Sequence, residues 1–169
     1  MLIRIADIVQ DSIVDGTGIR LTIFVQGCPH HCPGCHNPRT WEYDGGKLVD
    51  TDEIIALMEA NPLLDGITLS GGEPLRQAVA CMVLARAAYE RGLSVWCYTG
   101  YDFHTLLAAY VGAPGRGLLD YVDVLVDGPY IESQRTLELP WRGSRNQRLI
   151  DVQASLKTGH VVEYKEECT

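Results

Sequence analysis

The run Leu21-Thr22-Ile23-Phe24-Val25-Gln26-Gly27-Cys28-Pro29-His30-His31-Cys32-Pro33-Gly34-Cys35-His36-Asn37 joins an apolar strand to a short loop with three cysteines at C-x3-C-x2-C spacing. Three thiolates this close hold three irons of a 4Fe–4S cubane, and no fourth cysteine follows at short range. One iron then lacks a cysteine and is open to another ligand, so the spacing points to reactivity as well as electron storage. Structural zinc is the rival reading, because three thiolates with His30, His31 or His36 make a Cys3His tetrahedron. Zinc sites of that kind usually come as two separated pairs, whereas Cys28, Cys32 and Cys35 all lie within eight residues. His30 and His31 flank the thiolates and read either as hydrogen-bonding groups that tune a cluster or as exposed loop residues. Cys81, Cys97 and Cys168 are scattered and read as small apolar residues or bystander thiols.

Working outward, residues 3–9 and 13–14 read as short strands leading into the turn Asp15-Gly16-Thr17-Gly18, and residues 20–26 as the strand that carries the cysteine loop. Beyond the turn Asp44-Gly45-Gly46, a helix is expected over 52–60. Asp50 caps it, Glu53 completes a capping box, Ile54, Ile55, Leu57 and Met58 face inward, and Asn61-Pro62 ends it. A buried strand over 66–70 runs into Gly71-Gly72-Glu73-Pro74. A helix over 77–91 leaves Gln77, Arg86, Glu90 and Arg91 to water and closes at Gly92. The strand 93–98 follows, then a helix capped by Asp102 with the stripe Phe103, Leu106, Leu107 and Tyr110. A loop over 112–117, a strand over 121–126 ending at Asp127-Gly128, and a strand over 149–152 complete the pattern.

Strands alternating with helices imply an α/β fold with a mainly parallel sheet and right-handed crossovers. The cysteine loop, Gly71-Gly72-Glu73-Pro74, Tyr98-Thr99-Gly100 and Asp127 all fall just past the carboxyl ends of strands, the edge that carries ligands in barrels and open sheets alike. A complete eight-unit barrel takes about 250 residues. A chain of 169 residues is therefore expected to form a partial, open β/α barrel. Residues 1–169 read as one domain, with 1–14 as an N-terminal strand extension and 153–169 as a C-terminal tail.

Composition narrows the function. An apolar fraction of 46 % and a charged fraction of 21 % are ordinary for a globular domain, and the net charge of −8 gives no footprint for nucleic acid or an anionic membrane. Residues 1–10 carry Arg4 and Asp7 inside an apolar run, which suits a strand better than a secretory leader. No run approaches the roughly 20 apolar residues of a membrane span, so the expected location is the cytoplasm. Six cysteines in such a chain argue for metal or redox chemistry before disulfides. The glycines of Gly71-Gly72-Glu73-Pro74 read as a tight turn or as an edge whose carbonyls and carboxylate accept from an ammonium.

These residues carry a family resemblance. The cysteine loop followed by Gly71-Gly72-Glu73-Pro74 resembles radical S-adenosylmethionine enzymes. The longer match, Asp15-Gly16-Thr17-Gly18-Ile19-Arg20 through Cys35-His36-Asn37 and Thr40-Trp41, is similar to glycyl-radical-enzyme activases. Within them, Trp96-Cys97-Tyr98-Thr99-Gly100-Tyr101, Asp123-Val124-Leu125-Val126-Asp127-Gly128 and Trp141-Arg142-Gly143-Ser144 with Asn146-Gln147 are similar to the activases of anaerobic ribonucleoside-triphosphate reductase.

The resemblance spans roughly residues 15–152 and implies an oxidoreductase whose reduced cluster cleaves S-adenosylmethionine to methionine and a 5′-deoxyadenosyl radical. That radical generates a glycyl radical on the reductase, with flavodoxin or ferredoxin as electron donor. It implies Cys28, Cys32 and Cys35 as cluster ligands at the catalytic centre, and His36, Gly71, Gly72, Glu73, Pro74, Tyr98, Thr99 and Asp127 as cofactor-binding positions. Where relatives often carry a lysine two residues after that aspartate, this chain has Pro129. Asp127 also reads as a turn or cap residue, and the basic stretch 141–147 either meets a carboxylate or partner surface or anchors the last strand. The rival functions are activation of another glycyl radical enzyme, a small-molecule radical enzyme such as a deazaguanine synthase, an iron–sulfur carrier and a zinc module.

Overall fold

The computed structural model describes residues 1–109 and 113–166. Seven strands form one open sheet: β1 (Leu2–Ser12), β2 (Arg20–Val25), β3 (Lys47–Asp50), β4 (Gly66–Gly71), β5 (Ser94–Tyr98), β6 (Val124–Asp127) and β7 (Arg148–Asp151), in the spatial order β3-β1-β2-β4-β5-β6-β7. The helices are α1 (Thr51–Ala60), α2 (Ala78–Glu90), α3 (Phe103–Ala108), α4 (Pro114–Leu118) and α5 (Val152–Thr158). The central strands β2, β4, β5 and β6 are parallel, whereas β1 runs antiparallel to β2 and β3, and β7 antiparallel to β6. The sheet is thus mixed rather than mainly parallel. Parallel neighbours need a crossover, supplied here by α1 between β2 and β4, by α2 between β4 and β5, and by α3 with α4 between β5 and β6. The chain between β6 and β7 returns along the same sheet end without one, so the last pair is antiparallel.

Each central strand alternates between two faces. Leu21, Ile23, Val25, Ile67, Leu69, Val95, Cys97 and Leu125 pack against Ile54, Met58, Leu84, Ala88, Phe103, Leu118 and Val152 in one core, so all five helices contribute to one side of the sheet. The alternate positions Arg20, Thr22, Phe24, Thr68, Ser70, Trp96 and Tyr98 share the other side, which is far more polar. Trp96 anchors a second cluster there, with Trp141 and Tyr164 edge-on to it at 5.1 and 5.5 Å.

Several local readings shift. Asp50 caps α1 as expected, accepting from the N–H of Asp52 while its own N–H donates to Glu53 Oε1. Residues 13–14 are not a strand: β1 ends at Ser12, whose hydroxyl donates to Asp15, and Ile13 and Val14 stand exposed. Residues 114–118 form α4 instead of a loop, because Pro114 presets the first helical turn and Leu118 is buried. β6 is shorter than expected because residues 119–121 make a 3-10 turn. Gln77 is not simply left to water, since its amide pairs with the backbone of Arg4 and Gln26. The segment after β7 begins as α5, capped by Asp151 and closed by Gly159 at φ 76°. Tyr110, Gly112 and Cys168 lie outside the described residues.

The amino ends of three parallel strands are tied by one side chain. Arg20 is fully buried. It donates from Nε to Thr68 Oγ1, from Nη1 to Thr17 O and Ser94 Oγ, and from Nη2 to Ile67 O and Ser94 O, at 2.6 to 3.0 Å. Burial lowers its pKa to about 10, with Asp123 pulling it back up, so the guanidinium stays charged at neutral pH. Gly66 leaves room for it, because a Cβ there would stand 2.6 Å from Nη2 and 2.2 Å from Ser94 O. Arg20→Met keeps the apolar stem but strands these acceptors. It is expected to cost about 3–5 kcal/mol and lower the melting temperature by roughly 10 °C, measured by circular dichroism.

Candidate active site

The polar side of the sheet opens at the carboxyl ends of the parallel strands into a cleft of about 320 Å³. Larger cavities beside β1 and at the start of α2, about 640 and 420 Å³, are lined by no cysteine or histidine, so the chemistry selects the smaller cleft. Cys28, Cys32 and Cys35 line it, and none is in a disulfide. Burial pushes the Cys28 thiol up, while the backbone N–H of His30 draws it back.

The loop that presents them is closed on itself. Gly27, His31 and Gly34 take left-handed backbone, with φ of 94°, 46° and 74°. The N–H of Gly27 donates to Thr40 O and that of Cys28 to Trp41 O. Gln26 Nε2 reaches Arg39 O and Glu42 O, and the N–H of Asn37 lies 3.4 Å from Cys35 Sγ. The His31 ring stacks on Trp41 at 4.7 Å, and the His36 ring lies 5.0 Å from that of Tyr130. Three unbridged thiols on one loop line a cleft that continues past them, a donor set of the chemistry that holds an iron–sulfur cluster, although among the described residues no three Cys, His, Asp or Glu side chains converge as a metal-ion site.

Gly71 and Gly72 line the cleft beyond the cysteines, and their lack of side chains is a packing requirement. A Cβ on Gly71 would meet Val25 N at 2.6 Å, and one on Gly72 would meet Gly27 O at 2.4 Å. The N–H of Gly72 donates to Val25 O and that of Glu73 to Gly27 O, which seams the turn to the base of the cysteine loop. Glu73 itself is fully buried. Its carboxylate accepts from the N–H of Leu75 and of Gly100, stands 3.0 Å from Thr99 Oγ1 and meets His30 Nε2 at 2.7 Å. Pro74 is buried and opens a 3-10 turn.

Tyr98 and Thr99 line the cleft from the end of β5. Burial pushes the Tyr98 phenol well up and nearby Asp15 adds to this, so it is a neutral hydroxyl at physiological pH. His36 lines the cleft too, whereas Asp127 is absent from its wall. The Asp127 carboxylate accepts from Arg148 Nε and Nη2, at 3.0 and 2.6 Å, and from the N–H of Phe103, at the start of α3.

The structure adds wall residues that sequence reasoning missed. Phe24 and Ser70 share the strand alternation and the strand end of Tyr98, a usable signal. Tyr130, Gly143 and Gln147 come from the long return to β7, where no periodicity marks them. Both readings of residues 141–147 find contacts: Arg145 Nη2 meets the Glu138 carboxylate at 3.1 Å, while Gln147 accepts from the N–H of Gly143 and Ser144 and donates to Gly128 O, and Trp141, at φ 56°, packs on Trp96.

A family model described as a 4Fe-4S single cluster domain matches residues 14–150. Proteins called anaerobic ribonucleoside-triphosphate reductase-activating protein are similar over most of their length. That of Salmonella typhimurium is 39 % identical over 143 residues, covering 80 % of this chain and 90 % of the relative. That of Haemophilus influenzae is 35 % identical over 145 residues, with 80 % and 89 % covered. The protein of Enterobacteria phage T4 is 37 % identical over 142 residues, with 80 % and 86 % covered.

Each of Cys28→Ala, Cys32→Ala and Cys35→Ala is expected to remove most of the iron bound on anaerobic reconstitution, read by iron and sulfide analysis. The half-exposed Cys32 and Cys35 variants should keep their unfolding free energy within about 0.5 kcal/mol. Asp127→Asn breaks the Arg148 pair and is expected to cost about 2–3 kcal/mol in denaturant unfolding.

Proposed function

Because the chain belongs to the family of anaerobic ribonucleoside-triphosphate reductase-activating proteins, we propose that it is a radical S-adenosylmethionine activase that generates the glycyl radical of that reductase. The observation that carries this reading is one cleft bringing the three-cysteine loop against the Gly71–Gly72 edge. With a cluster on Cys28, Cys32 and Cys35, the chemistry supplied is one-electron cleavage of the sulfonium to methionine and a 5′-deoxyadenosyl radical, which takes a hydrogen atom from a glycine of the partner.

The chain's own part is binding, orientation and exclusion. A cleft of about 320 Å³ lies within the range of about 300–1,000 Å³ of small-molecule sites. Gly71 and Gly72 bring backbone to its wall, where carbonyls suit the methionine ammonium. Tyr98 and Thr99 close the side toward β5, and the neutral Tyr98 phenol is a donor for a carboxylate or ribose oxygen. The rings of His36 and Tyr130 flank the cleft and limit water beside a reactive intermediate. Asp127 serves the same site at one remove, by holding the start of α3 and the first residue of β7.

An open sheet with helices on one side and the cleft on the other supports a partial β/α barrel of the radical S-adenosylmethionine type, with residues 1–169 as one domain. Such a scaffold leaves the site accessible to a protein loop. Flavodoxin or ferredoxin is the proposed electron donor, and the cytoplasm the proposed location. Among the described residues no helix is long and apolar enough to cross a membrane. Anaerobic reconstitution, reduction with dithionite and addition of S-adenosylmethionine should release 5′-deoxyadenosine. With the reductase present, a glycyl radical should appear by electron paramagnetic resonance. Absence of 5′-deoxyadenosine from cluster-loaded protein refutes the radical mechanism, and its release without a glycyl radical refutes this choice of partner.

A further inference from the structure

His30 stands between two parts of the site that the chain supplies separately. It lies in the cysteine loop, and its Nε2 is 2.7 Å from Glu73 Oε2, with the Glu73 side chain at 0 % exposure. The ring also packs edge-on against Tyr101 at 4.6 Å and lies so close to Gly100 that a Cβ there would meet its Cδ2 at 2.4 Å. The same Oε2 also accepts from the N–H of Gly100 and stands 3.0 Å from Thr99 Oγ1, while Oε1 accepts from the N–H of Leu75 and lies 3.0 Å from the same hydroxyl. A carboxylate has about four lone-pair sites, and here they are taken from three directions: the cysteine loop, the turn after β4 and the loop after β5. Glu73 is absent from the cleft wall, whereas His30 is part of it. A buried carboxylate so fully engaged is poorly placed to receive a ligand's ammonium and well placed to fix distances among the loops that hold it.

We propose that His30 is a positioning residue which, through buried Glu73, locks the Cys28–Cys32 half of the cysteine loop to the Gly71–Gly72 edge and to Thr99-Gly100. This holds the iron without a cysteine at one spacing from the edge that receives S-adenosylmethionine. The role rests on the activase reading above. Without the strut the three thiols remain and the backbone seam of Gly72 and Glu73 to Val25 and Gly27 remains. What is lost is the link from the far part of the loop to Glu73.

The test compares wild type, His30→Ala and His30→Gln after anaerobic reconstitution and reduction. Glutamine keeps an amide near the position of Nε2. Iron content, the electron paramagnetic resonance spectrum of the cluster with and without S-adenosylmethionine, and the dissociation constant of S-adenosylmethionine by equilibrium dialysis are read for each. Expected are wild-type iron content in all three, roughly tenfold weaker binding with a diminished spectral change in H30A, and recovery to within about threefold in H30Q. H30A that binds and responds like wild type overturns the role of His30 alone. A wild-type cluster whose spectrum S-adenosylmethionine leaves unchanged overturns the activase reading and this role with it. For a variant that fails to hold iron, hydrogen exchange of the metal-free chain decides. Faster exchange over residues 28–35 in H30A than in H30Q, with β4 unchanged, supports the strut, and equal exchange overturns it.

Discussion

Pairing between β2 and β4 does not stop where the strands do. It runs on as Gly72 N–H to Val25 O and Glu73 N–H to Gly27 O, so the first residues of the cysteine loop and of the glycine turn are ladder partners. Two side-chain-free residues make this possible, since a Cβ at either glycine would strike the backbone of β2 or its loop. The cysteine loop and the edge opposite are therefore one backbone unit, and the rest of the site is arranged around it. The parallel direction of these strands matters here, because it brings both loops to the same end of the sheet.

Two internal charges hold the two ends of that sheet. At the amino ends the Arg20 cation is met by carbonyl and hydroxyl oxygens from the neighbouring strands β4 and β5 and the preceding turn. At the carboxyl ends the Glu73 anion is met by backbone N–H groups, a hydroxyl and an imidazole. Neither relies on an opposite formal charge for most of its solvation. Each is surrounded by dipoles that the fold has already oriented, which keeps a buried ion tolerable. Asp127 follows a different rule, pairing directly with Arg148 while accepting from the first N–H of α3, whose cap is Asp102.

What was legible in the sequence was local. The cysteine spacing lies within one loop, the alternation of Leu21, Ile23 and Val25 within one strand, and the Asp50 and Glu53 box within one helical turn, so neighbours in sequence carried each signal. Strand direction was not legible, because alternation reads the same forward and backward. Hence β1 and β7 are antiparallel where a mainly parallel sheet was expected, and the short antiparallel β3 was not anticipated as a strand. The side-chain partners of Asp127 and Glu73 lie more than twenty residues away, and no local pattern announces Arg148 or His30 as the group that meets them. The return segment with Tyr130, Gly143 and Gln147 has no period to read, although it closes one side of the cleft.

The engagement of Arg20 has a consequence for anyone wishing to move this cleft onto another scaffold. Thr17, Thr68 and Ser94 each supply it an acceptor, Gly66 supplies the space, and Gly16 lets the preceding turn lie against its stem and Trp96. These positions form a set tied to one guanidinium. A lysine at 20, with a single rotatable ammonium, would serve only part of it. The transplantable unit is thus larger than the visible site. It begins at the opposite end of the sheet, with residues that never approach the cysteines, and a graft that omits them would carry the loops without the floor on which they stand.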